Sequence, residues 1–252
     1  MAALGVLYSL VVYVFFLATF VYAIGFVGHI AVPKDIDSGA PVPLAEALIV
    51  NLHLLALFAV QHSVMARRGF KRWWTRIVPE CVERSTYVLA ATAVLALLLW
   101  QWRPIAQPVI WSVTDAWVRF ALQAVFWLGW AMLLISTFLI NHFELFGLRQ
   151  VFARLRGRAV PAPEFRTPLF YRHVRHPIYL GFILAFWATP QMSAGHLLFA
   201  IATTGYILIG IWFEERDLIA QFGDRYRLYR DQVGMLLPRL GKARGRDSVG
   251  RS

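Results

Sequence analysis

The sequence predicts an all-α, polytopic membrane bundle with four spanning helices, a C-terminal helical hairpin and a cytoplasmic tail helix. Three observations predict it. Of 252 residues, 59% are hydrophobic and 15% charged, whereas soluble domains carry about a quarter charged residues. The apolar residues fall into runs near the roughly 20 residues that cross a bilayer. Nearly all Lys and Arg lie in the connections between those runs and in the C-terminal tail, as the positive-inside rule requires of segments kept in the cytoplasm. The mean hydropathy is +0.57.

The first run extends from Leu4 to Ile30 and ends at Pro33, Asp35, Asp37, Pro41 and Pro43. The second, Leu44 to Met65, is followed by Arg67, Arg68, Lys71, Arg72 and Arg76. The third, Ser85 to Trp102, is broken by Pro104 and Pro108. The fourth, Trp117 to Ile140, precedes a basic stretch from Arg149 to Arg175, where Pro161, Pro163 and Pro168 oppose a continuous helix. The last apolar region, Ile178 to Phe213, is interrupted by Thr189, Pro190, Gln191, Met192 and Ser193. Each half is short for a span, which predicts a hairpin that enters and leaves on one side. From Glu214 the chain is charged. One membrane domain is expected over residues 1–240, and a disordered basic tail over 241–252.

The basic connections after the second and fourth runs, with the tail, belong in the cytoplasm. That orientation, with the site facing the cytoplasm, fits a bacterial inner membrane. The first run lacks a basic leader and a small-residue cleavage site and reads as a retained helix. The formal charge of +11 is accounted for by loop placement, with some left to attract anionic membrane lipid or an anionic cofactor. No aromatic-plus-basic module suggests a nucleic-acid partner. The single cysteine, Cys81, forms no intramolecular disulfide and no cysteine metal cluster, and no metal is expected. The sequence assigns no oligomeric state.

Ionisable groups in or beside spans are costly and mark function. Arg172, His173, Arg175, His176, Pro177, Tyr179, Leu180 and Gly181 open the hairpin, and Glu214, Glu215, Tyr226 and Tyr229 follow it. A hairpin returning to its starting side sets Arg and His donors beside two carboxylates. Carboxylates hold amines and diols, and Arg holds carboxylates. Either end alone reads equally as a positive-inside flank or a solvated helix end; the order of both around a broken hairpin is more specific. A second cluster, Asn141, His142 and Glu144 to Gln150, closes the fourth run, and a third, Gln61, His62 and Ser63, lies near the end of the second. His62 and His142 read as packed or capping residues as readily as catalytic ones. His29, His53 and His196 read as structural.

RHPIYLG, the hairpin, and EERDLIAQFGDRYRLYRDQVGMLLP together resemble the membrane methyltransferases typified by isoprenylcysteine carboxyl methyltransferase and phospholipid methyltransferase. The resemblance implies S-adenosylmethionine bound over a core of about 170–238, with contacts from Arg175, His176, Pro177, Tyr179, Leu180, Gly181, Glu214, Glu215 and Tyr226. QHSVMAR and NHFELFGLRQ resemble the methanethiol S-methyltransferase branch, grouped with the NnrU-like membrane proteins. This implies a small thiol substrate, methanethiol, giving dimethyl sulfide, with catalysis by His62, His142, Gln61, Ser63 and Asn141. A lipid-like substrate (isoprenylcysteine or a phospholipid headgroup) is the nearest alternative. A non-catalytic haem-binding protein, with His29 and His53 as the axial pair, or an assembly role, is the other.

Overall fold

A computed structural model of the chain describes residues 2–160 and 164–239. The break expected at Pro161 and Pro163 and the tail 241–252 lie outside the described residues. Among the described residues, five helices are long and apolar enough to cross a membrane: α1 (Ala2–Gly28), α2 (Leu44–Ala66), α4 (Glu80–Gln101), α5 (Ala116–Ile140) and α9 (Ala194–Phe222). Short helices α3 (Arg68–Trp74), α6 (His142–Leu145) and α7 (Leu148–Leu155) lie in the basic connections. The apolar α8 (Pro177–Trp187) precedes α9, and α10 (Asp224–Gln232) follows it. Leu4, Val11, Val14 and Val21 are more than half exposed along α1, an outward face suited to lipid.

Each of the four expected runs is a helix long and apolar enough to cross, but the third begins earlier than Ser85, at Glu80. Its acidic first turn, Glu80 and Glu83, suits the positive end of the helix dipole. The all-α expectation is corrected by a two-stranded antiparallel ribbon, β1 (Val109–Ser112) with β2 (Gln191–Ser193). The polar break at Thr189–Ser193 is the β2 edge, where backbone groups freed from helical bonding find strand partners.

The hairpin is also asymmetric. Its first half, α8, has 11 residues, about 16 Å at 1.5 Å per residue. Its second half is not short: α9 runs 29 residues and passes through Phe213, the expected end, to Phe222. The charged residues after Phe213 ride on the same helix, because helical bonding is indifferent to where the apolar face ends. The ribbon sets the hairpin tip beside the α4–α5 connection. At the opposite end Arg175 meets Glu215, so the hairpin returns to the end it left.

Packing divides the bundle in two. Towards the ribbon, Phe26, Trp102, Phe126, Trp130, Phe186 and Phe199 form one buried apolar cluster. Trp102 Nε1 donates to the Ile36 carbonyl at 3.1 Å, fixing the α1–α2 connection. The basic half is polar and carries the tyrosines and histidines described below.

α8 is held against α5 at a glycine crossing. A Cβ on Gly181 would lie 2.6 Å from the Gly129 carbonyl oxygen, and one on Gly129 would lie 2.7 Å from that of Gly181. Small residues at such crossings let helix backbones touch where lipid supplies no hydrophobic drive. Gly129→Leu is expected to lower stability by about 1–3 kcal/mol through overpacking. A thermal melt of the detergent-solubilised variant that matches the parent would contradict this crossing.

Candidate active site

The hairpin's opening segment and the tail lie side by side. The Arg175 and His176 backbone N–H groups donate to the Gly234 and Met235 carbonyls at 2.8 and 3.2 Å, and Val174 bridges Gly234 in parallel. Gly234 is required by space, since a Cβ there would collide with the Leu237 carbonyl. Pro177 occupies the first turn of α8, where a missing N–H costs no helical bond.

The Arg175 side chain is the centre of this arrangement. Its Nε donates to Glu215 Oε1 at 2.7 Å, and its Nη1 donates to the Arg230 and Val233 carbonyls. The two side chains are 8% and 15% exposed. His176 is buried, and its Nε2 lies 3.1 Å from the same Glu215 oxygen. The expected pairing of Arg and His with two carboxylates is therefore present, but the carboxylates divide. Glu215 is consumed by Arg175 and His176. Glu214 leaves Oε2 buried without a hydrogen-bond partner, 3.8 Å from His176 Nδ1.

Tyr226 is buried and its hydroxyl is also without a partner. Burial and the neighbouring Glu215 and Glu214 carboxylates push its ionisation well above the ordinary tyrosine range, so it remains a donor. Tyr229 donates to the Tyr171 carbonyl, and burial pushes it up to about 12.

The second group sits across the bundle on α2. His62 Nε2 is 2.9 Å from the Tyr87 hydroxyl, and Ser63 Oγ is 3.2 Å from the Tyr206 hydroxyl. Gln61 Nε2 contacts the Met65 sulfur at 3.1 Å. His62 stacks on Phe58, and its Nδ1 is buried with no partner. Tyr179, on α8, lies beside the first group, its ring centroid 5.7 Å from that of His176.

The third group lies elsewhere. His142 is buried with both ring nitrogens engaged, Nε2 with Tyr13 at 2.7 Å and Nδ1 with Thr137 at 2.8 Å, and it stacks on Phe138. Burial lowers its proton affinity. Asn141 donates to Glu144, which also accepts from Arg149 at 2.6 Å. Asn141, Glu144 and Arg149 line a cavity of about 610 Å³ with Arg84 and Lys71. Burial, with Arg84 beside it, lowers the Lys71 ammonium's affinity for its proton. Arg84, on α4, holds its guanidinium 5.0 Å over the Tyr87 ring of the same helix and donates Nε to the Leu145 carbonyl at 2.7 Å.

Leu180 is half-buried on α8, and Gly181 meets α5 at the crossing. The haem pair is not assembled: His29 turns to Asp35 and Asp37, while His53 bonds its own helix at Ile49 and faces outward. Tyr13, Tyr87, Tyr206 and Arg84 were not singled out from sequence. A polar hydroxyl inside an apolar run, as at Tyr206, is the signal that points to them.

Arg175→Met should strand the Glu215 carboxylate and release the tail, costing about 3–5 kcal/mol. Limited proteolysis should then cut between α9 and Val233. Adding Glu215→Met should recover part of the loss, and a double variant as sensitive as the single would contradict this pairing.

The chain is 60% identical to the methanethiol S-methyltransferase of Mycobacterium tuberculosis, over 93% of this chain and 96% of that protein. It is 56% identical to methanethiol S-methyltransferase 2 of Bradyrhizobium diazoefficiens, over 96% and 92%. Nurim of Danio rerio is 27% identical over 83% of each. No protein-family profile matches the chain, and no solved structure does.

Proposed function

The chain belongs to the methanethiol S-methyltransferase family, and from that premise we propose how its residues methylate methanethiol. It is an integral membrane methyltransferase, and the reaction joins a methyl group to the thiol sulfur to give dimethyl sulfide. The single observation supporting this site is the set of buried polar atoms left without a hydrogen-bond partner: Glu214 Oε2 and the Tyr226 hydroxyl on one side, His62 Nδ1 on the other. The donor is S-adenosylmethionine. It supplies an electrophilic methyl group on a sulfonium, together with an amine, a carboxylate and a ribose diol to be held.

The residues fit those groups. Glu214 Oε2 and the Tyr226 hydroxyl are buried and unpartnered, so a ligand amine or hydroxyl satisfies them without breaking a protein bond. Arg175 is already engaged by Glu215 and tail carbonyls, and its role is to position the wall rather than to bind. The tail strap over Val174 to His176 closes that side against water.

His62 is the base. Its Nε2–H donates to Tyr87, which leaves Nδ1 as the free acceptor, and that tautomer is assigned from the bonding. Nδ1 takes the thiol proton, directly or through one water, as the sulfur begins to attack. Tyr179 and Tyr206 wall the space and hold the small apolar thiol in line. His142 is set aside as the base, since both its nitrogens are bonded. The basic end of the bundle, where Arg84, Lys71 and Arg149 line a cavity, faces the cytoplasm, where donor and thiol are supplied.

Three measurements test this reading. Tyr226→Phe should fold as well as the parent, because it removes an unsatisfied hydroxyl, yet should weaken S-adenosylmethionine binding by calorimetry on the order of tenfold. Unchanged affinity would remove Tyr226 from the donor site. His62→Ala should slow dimethyl sulfide release, read by headspace chromatography, by about 10²-fold or more with donor affinity little changed. An equal loss in His142→Ala alone would transfer the base role. Turnover should also rise with pH as the thiol ionises, and a His62→Ala variant should show the steeper dependence.

A further inference from the structure

A second recess lies between α1, α4 and α7 at the basic end of the bundle, adjoining the Arg84–Arg149 cavity at Glu80 and Gln150. It is an open groove of about 980 Å³. Its floor includes Leu4, Gly5 and Val82, and its rim carries Arg154 and Arg158. Gly5 keeps the floor low: a Cβ there would already stand 3.3 Å from Val82 Cγ1. Leu4 is 66% exposed and Leu7 58%, so the floor runs directly into the outward stripe of α1 that meets lipid tails.

The rim is built by α7. Leu148 and Val151 are buried against the bundle, while Arg154 and Arg158 are exposed and enter no ion pair among the described residues. Glu80 lies in the same lining, so the rim holds two guanidiniums against one carboxylate. The net charge is positive, at the depth where an apolar floor gives way to water. That combination matches a molecule with a phosphate head and a hydrocarbon tail.

We propose that this groove binds one anionic phospholipid, with its phosphate between Arg154 and Arg158 and an acyl chain over Leu4, Gly5 and Val82. The lipid fills the seam between α1 and α4 and anchors α7 at the bilayer surface. Neither arginine belongs to the methyl-transfer site, so binding and catalysis are separable.

Native mass spectrometry of the full chain, released from micelles with equal amounts of phosphatidylglycerol, phosphatidylethanolamine and phosphatidylcholine, tests this. A single retained phosphatidylglycerol adduct is expected. The double variant Arg154→Gln, Arg158→Gln should lose it on the order of tenfold, with methanethiol methylation in detergent unchanged. Arg156→Gln, on the same segment but outside the groove, should keep it. Equal retention of the three lipids overturns the proposal, as does an equal loss in Arg156→Gln, which would mean diffuse surface charge. A double variant that instead changes the number of chains in the complex, with the lipid adduct intact, would assign the groove to a second copy and overturn it as well.

Discussion

A guanidinium and a carboxylate withdrawn from water hold three separate stretches of chain together. Arg175 leads into α8, Glu215 lies three-quarters along α9, and the carbonyls of Arg230 and Val233 belong to the tail. Each ion alone would cost several kcal/mol to bury. Paired, and with the spare guanidinium protons given to carbonyls, the set is self-consistent, and removing any member leaves a charge without a partner. Glu214 inherits its freedom from this bond. Because its neighbour satisfies Arg175 and His176, Glu214 can keep an oxygen open for a ligand.

The rest of the bundle keeps that junction in register. The glycine crossing fixes the height of α8 on α5, and the β1–β2 ribbon fixes its far end. Between them, the aromatic cluster around Trp102 and Phe186 fills the far half. The near half is left to Tyr87, Tyr179, Tyr206 and His62, whose hydroxyls and ring nitrogen need partners. The same helices therefore provide a dry packed end and a polar reactive end, and the change occurs along each helix rather than between domains.

The spans were legible because their signal is one-dimensional: about 20 apolar residues bounded by prolines or arginines. The Arg-His-Pro and Glu-Glu segments were legible as partners because a broken apolar stretch brings its own ends together. Three things were not. Val109 to Ser112 and Gln191 to Ser193 are too short to show strand periodicity, and their pairing depends on two connections meeting in space. The run of α9 past Phe213 was hidden by the change to charged residues, which marks the membrane edge but not the helix end. Tyr87 and Tyr206 are recognised only by what faces them, since α2, α4 and α9 are neighbours laterally and not in sequence.

The strap formed by Gly234 and Met235 against Arg175 and His176 also sets an order of assembly. Synthesis delivers α1 to α5 first, and the apolar helices can find one another in the bilayer while the remainder is still being made. The junction at Arg175 waits for residues made some sixty positions later. A chain halted short of Met235 would be inserted and largely packed but would lack the carbonyls that hold the hairpin's mouth. The junction that holds the hairpin's opening is thus among the last parts of the molecule to form, after the apolar helices it joins are already in place.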